Sequence, residues 1–222
     1  MRIIVLFLAI GLFCFLNADF TSAKEDEVIK LPPPQTEGGM PLMQALKLRK
    51  STRGDFGPDT KLSMQQISNL LWAANGVNRP GGMRTAPSAI NWRNIDIYVT
   101  TADGLFLYDP DKNELKVLGR EDVRAVSGMQ DFVKSAPVNL IYVADFAKAR
   151  GFGGQGEIME TAEIWSYAGT GAVFQNVYLW CASEGLACIV RAMVDKDAIR
   201  ETLKLGKDQH VMLAQTIAHF KK

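Results

Sequence analysis

Hydrophobic and polar positions divide the chain into a short series of predicted elements. Pro41 suits the first turn of a helix carrying the apolar-periodic run Met43, Leu46 and Leu48. Ser63 caps the next helix, with Gln66 in the capping-box position, and Ile67, Leu70, Leu71 and Ala74 recur at helical spacing. Asn75-Gly76 stops it, and Asn78 to Gly82 reads as a turn-rich loop. Ile95, Ile97 and Val99 alternate as a strand. Leu105 to Tyr108 and Leu115 to Leu118 flank Asp109 to Asn113, which predicts a hairpin. A helix is expected over Glu121 to Val133 and a buried strand over Asn139 to Ala144. From Glu157 to Glu184 there is no proline and apolar residues fall on several faces, which predicts a long helix that is buried or shared between subunits. Gly185 ends it. A short helix over Asp197 to Leu205 and a strand over Val211 to Ile217 complete the pattern.

Ahead of these elements the pattern is different. Arg2, the apolar run Ile3 to Leu16, and the small residues ending at Ala23 form the three-part pattern of a secretory signal peptide over residues 1–23. The apolar run is shorter than the roughly 20 residues of a spanning helix, so no stable membrane anchor is expected. An exported chain, periplasmic or secreted, would begin near Lys24. Residues 24–40 carry charges, then Pro32-Pro33-Pro34 and Gly38-Gly39, and read as an extended leader arm on the surface. Residues 41–222 then form one domain.

Charge and cysteine content narrow the chemistry. A formal net charge of +1 argues against a nucleic-acid partner, which draws a basic excess. His210 and His219 are the only histidines, neither in metal-ligand spacing, so no metal site is expected. Cys181 and Cys188 fall on what reads as one helix, where two turns rise about 10 Å and forbid a bridge. They are expected as small buried hydrophobes. No nucleophile elbow or phosphate-binding loop is present, and Gly151 to Gly156 lacks the context of a dinucleotide site. Any chemistry would therefore come from a bound cofactor.

Arg49-Lys50-Ser51-Thr52-Arg53 places three cations and two hydroxyls within five residues. Such a set either offsets the negative end of the preceding helix or binds a dianion such as phosphate. Two further motifs follow in order: Ala86-Pro87-Ser88-Ala89-Ile90-Asn91, and Gly171-Ala172 with Gln175-Asn176 and Tyr178-Leu179, leading to Gly185-Leu186. The ordered set, over roughly residues 40–219, resembles the nitroreductase-like flavoproteins.

The resemblance implies an α+β fold: a mixed, mainly antiparallel central sheet flanked by helices, with a long central helix at a homodimer interface. It implies FMN held between two subunits, with Arg49, Ser51 and Arg53 on the phosphate and ribityl chain and Lys50 assisting. Pro87 and Ser88 would line the pocket from one subunit or the other, and Asn91 would bond the ring edge. Arg93 would either place positive charge near the flavin N1–O2 edge or lie as a surface cation. Relatives carry Pro-x-Glu-Gly where this chain has Val190-Arg191-Ala192-Met193, so Ala192 and Met193 would offer only backbone N–H groups to flavin N5. Lys221 and Lys222 would either stand in for the basic residues that relatives supply beyond the last strand or, the favoured reading, form a frayed cationic tail. The implied reaction is ping-pong hydride transfer from NADH or NADPH to a small acceptor such as a nitro compound or quinone. Phe152, Trp165, Tyr167 and Trp92 are expected chiefly in the core rather than the pocket. Two other activities fit the same resemblance: a flavin dehydrogenase acting on azoline rings in peptides, or a flavin-binding protein without turnover.

Overall fold

The computed structural model describes residues 27–54, 56–57, 60–149 and 155–221; side chains of 155–160 lie outside the description. The signal-peptide segment and Phe152 fall outside these residues. Seven strands form one sheet in the order β1-β6-β5-β4-β7-β9-β8. They are β1 Val28–Lys30, β4 Ile95–Thr101, β5 Gly104–Asp109, β6 Glu114–Gly119, β7 Val138–Asp145, β8 Ala187–Arg191 and β9 Gln209–Ala218. Every pairing in this sheet is antiparallel.

Strand β7, between β4 and β9, is an apolar run because both its faces are covered, as a strand inside a three-layer domain requires. Leu140, Tyr142 and Ala144 join Ile95, Ile97 and Val99 beneath α2 Met64–Asn75 and α3 Gln155–Glu184. Ile141 and Val143 point the other way, with Tyr98 and Val211, onto Ile199 and Leu203 of α4 Lys196–Leu203. The predicted capping box is present: Ser63 Oγ accepts from the Gln66 N–H while Gln66 Oε1 accepts from the Ser63 N–H.

Several elements differ from the sequence reading, each for a physical reason. The leader does more than lie on the surface. Val28–Lys30 pairs with β6, Leu31 is buried, and Pro32 and Pro33 carbonyls accept bonds from Ser68 and Gln65 of α2. The loop after α2 is a small hairpin, β2 Val77–Arg79 with β3 Met83–Arg84. The helix expected over 121–133 is two separate 3₁₀ turns, Arg124–Ser127 and Asp131–Ser135, interrupted at Gly128. Cys181 lies in α3 but Cys188 lies in β8, because Gly185 adopts a left-handed conformation (φ 66°) and reverses the chain.

The apolar run on α1 Leu42–Leu48 faces outward: Met43 is 76% exposed, Leu42, Leu46 and Leu48 are exposed too, and only Ala45 is buried. Helix α3 has two characters. Ala162, Val173, Val177 and Cys181 enter the core, whereas Ile164, Trp165 (49% exposed) and Tyr167 are open to solvent. Trp165 and Tyr167 are thus not core residues, while Trp92 is buried against Ala149 and Ala162. Among the described residues no helix is long and apolar enough to cross a membrane.

Candidate functional site

The basic segment leaves α1 at Arg49 and crosses the end of the sheet, where Thr52 fastens it. The Thr52 N–H donates to the Cys188 carbonyl at 2.9 Å, and the Cys188 N–H donates to Thr52 Oγ1 at 3.3 Å. Thr52 is buried, so this two-way clasp sets the path of its exposed neighbours Ser51 and Arg53. Tyr178 of α3 provides the second anchor. Its hydroxyl accepts from the Val190 N–H at 2.8 Å and lies 2.9 Å from Ser51 Oγ. The Arg49 guanidinium stands 5.4 Å from the Tyr178 ring centre, and the Lys50 ammonium 5.1 Å from that of Phe220. These groups rim a cavity of about 420 Å³ whose wall includes Tyr178, Cys181, Leu186 and Cys188. Among the described residues no carboxylate lies in ion-pair range of Arg49, Lys50 or Arg53.

The Pro87–Asn91 motif forms a strained turn. Ile90, Asn91 and Arg93 all have positive φ (34°, 61° and 50°), a costly state for residues with a Cβ and worst for β-branched Ile90. The turn is held by its surroundings. The Arg93 N–H donates to Ser88 Oγ at 3.0 Å, the Asn91 N–H to the Ser88 carbonyl at 3.2 Å, and Trp92 is buried. Ile90 and Asn91 are thereby presented to solvent. Pro87 and Ser88 line a shallow cavity of about 230 Å³ with Trp165, Ala168 and Gly169 of α3. The Arg93 guanidinium turns elsewhere and donates to the Gly81 and Gly82 carbonyls, tying the turn to the β2–β3 hairpin.

Ala192 and Met193 follow β8 and are exposed, Met193 by 65%. Arg191, the last residue of β8, points inward and is only 6% exposed. Its guanidinium donates to the Ser127 carbonyl at 2.6 Å and to Thr216 Oγ1 at 2.8 Å, with no carboxylate partner among the described residues. Burial lowers its pKa to about 10, so it remains a cation at neutral pH. Among the described residues no group of three or more His, Cys, Asp or Glu could hold a metal ion.

One chain therefore keeps the motifs in two groups. Arg49 and Ser51 meet α3 at Tyr178, and Pro87 meets it at Gly169, nine residues or about 13 Å earlier along the helix.

The profile of the nitroreductase family matches residues 46–219, which takes in all of these motifs. The chain belongs to the nitroreductase family. A nitroreductase of Methanocaldococcus jannaschii is 32% identical over 156 residues, covering 65% of this chain and 75% of its own. A crystal structure of a nitroreductase from Ralstonia eutropha JMP134 superposes with a TM-score of 0.80 at 42% identity, covering 88% of this chain and 90% of that one. A nitroreductase from Desulfovibrio desulfuricans, solved in complex with FMN, shares the fold with a TM-score of 0.56 at 19% identity, over 83% and 89% of the two chains. The nitroreductase fold over the α+β sheet agrees with the sequence expectation.

Sequence reasoning named the exposed residues of this candidate site but missed those that fix them. Thr52 and Tyr178 lay inside quoted motifs without a role. Their signal was a buried hydroxyl between exposed cations, and a tyrosine on the otherwise apolar face of α3. Arg191 carried no signal, because its partners Ser127 and Thr216 are remote in sequence.

Proposed function

We propose that the protein is an exported FMN-dependent oxidoreductase whose cofactor lies between two copies of the chain. The observation that carries the reading is the basic segment: three cations without carboxylate partners among the described residues, on a stretch fastened by Thr52 and Tyr178, with Arg49 and Lys50 lining a cavity. A phosphate dianion suits that donor set. Because the Tyr178 hydroxyl accepts from the Val190 N–H, its own proton can go to Ser51 Oγ. Ser51 then keeps its O–H for a phosphate oxygen.

In this reading Arg49, Lys50, Ser51 and Arg53 hold the phosphate and ribityl end. The exposed Pro87–Asn91 turn of a second copy would complete the flavin site, since the turn and the basic segment of one chain open into separate cavities. The exposed apolar faces of α1 and α3 supply the surface for that second copy. The exposed Ala192 and Met193 would offer backbone N–H groups to the flavin ring. Bound FMN supplies two-electron hydride chemistry. A nicotinamide nucleotide as donor and a nitro compound or quinone as acceptor would be served in turn by that chemistry. Such an order asks for no side-chain acid or base, and His210 is accordingly free to stack on Phe146, with ring centres 4.3 Å apart.

The test is the visible absorbance of the purified protein and of Arg49→Ala. Wild type is expected to carry flavin that bleaches with NADH or NADPH, and Arg49→Ala to lose it during gel filtration with its fold intact. A colourless wild type that takes up no added FMN would overturn the reading. Export is tested by the N-terminal sequence of the protein from the cell envelope, expected to begin near Lys24.

A further inference from the structure

Two buried cysteines meet at the floor of the cavity beneath Arg49. Cys181 is in the last turns of α3 and Cys188 in β8, and the reversal at Gly185 folds one back over the other. The Leu186 N–H closes this reversal by donating to the Cys181 carbonyl at 2.8 Å. Both side chains line the same cavity wall and belong to the same buried cluster. Cys188 is held in place on three sides. Its N–H and carbonyl clasp Thr52, and its Sγ accepts from Gln215 Nε2 at 3.0 Å. Gln215 is fixed in turn by the buried Tyr142 hydroxyl. The pair does not lie on one helix, so the 10 Å separation that would forbid a bridge does not apply.

We propose that Cys181 and Cys188 are a redox site that closes into an intrachain disulfide when a small disulfide oxidant enters the cavity. One cysteine, as thiolate, attacks a sulfur of the oxidant, forms a mixed disulfide and releases one small thiol. The second cysteine attacks the protein sulfur of that mixed disulfide, closes the bridge and releases the other small thiol. The two thiol protons leave on the two released thiols, and two electrons pass to the oxidant. Burial first, and then the neighbouring Cys188, push the Cys181 thiol well above its ordinary range, so exchange is slow. The bridge staples the end of α3 to β8 under the segment that Thr52 holds, whether or not a flavin is bound.

The experiment uses the native, full chain equilibrated with oxidised glutathione, then acid-quenched, alkylated in denaturant and digested after glutamate. Cleavage after Glu184 separates Cys181 from Cys188 into different peptides, so only a disulfide keeps them joined. The expected product is that joined pair, lighter than the reduced peptides by about 2 Da and released by dithiothreitol. Alkylation of both cysteines after prolonged oxidation would overturn the proposal. So would stable glutathione adducts on either one.

Discussion

Gly128 is where the interruption between the two 3₁₀ turns meets the buried guanidinium of Arg191. A Cβ built on Gly128 would sit 1.7 Å from Arg191 Nη1. The Gly128 backbone is extended, so a Gly128→Ala change meets this side chain and not a forbidden dihedral. Arg191 cannot swing into solvent without leaving its buried partners. The bond most directly lost is Nη1 to the Ser127 carbonyl at 2.6 Å. A hydrogen bond from a charged donor contributes about 1.5–3 kcal/mol, and disturbing the 2.8 Å bond to Thr216 adds to it. The expected destabilisation is about 2–4 kcal/mol, a large part of a typical domain's stability. Urea unfolding measures it. With m near 2 kcal/mol per M, the midpoint falls by about 1–2 M at unchanged m. The cause is isolated by repeating the change in an Arg191→Met background. There Asn139 and Thr216 still bond each other, and Asn139 Nδ2 still reaches the Val133 carbonyl at 3.0 Å. In that background Gly128→Ala is expected to cost under about 0.5 kcal/mol. An equal penalty in both backgrounds would show that the guanidinium is not the obstacle, and the account of the interruption at Gly128 would be wrong.

Other substitutions probe the remaining parts. Ser63→Ala removes the α2 capping box and is expected to lower stability by about 1 kcal/mol in the same urea assay, while Ser63→Asp, which can also cap, keeps most of it. Asp122 is held below the usual carboxylate range chiefly by its hydrogen bond from Arg124. Its contribution is therefore present above the unfolded carboxylate pKa of about 3.9 and disappears as pH falls through the lower folded value. Thermal midpoints of wild type and Asp122→Asn should differ at neutral pH and converge on acidification; a gap constant with pH would contradict the pairing. Trp165→Glu charges the exposed face of α3 and is expected to give a monomer that retains no flavin. Light scattering checks it, and a variant of wild-type mass would remove α3 from the subunit interface.

Much of the framework was legible because its residues repeat with one period. Strand β7 and helix α2 are each covered by elements that satisfy the alternation or the helical spacing written in them. The predicted helix over 121–133 failed for the complementary reason. Val123, Val126 and Val133 have apolar spacing, but Gly128 has to leave room for Arg191, which arrives from a strand some sixty residues later. No local pattern carries such a requirement.

The candidate site divides along the same line. Its exposed donors announce themselves, since cations crowded at a helix end are a local feature. What turns Arg49 to Arg53 from a charge cluster into a shaped receptor is not local: the Thr52 clasp spans 136 residues and the Ser51–Tyr178 bond spans 127. The same limit governed α1. Periodicity established that Met43, Leu46 and Leu48 share an apolar run, yet it could not say whether the cover is this chain's own core or another surface. Their exposure in one chain, beside the open half of α3, moves that question from folding to association. A reading that builds the site from two copies then stands or falls with the molecular mass of the Trp165→Glu variant.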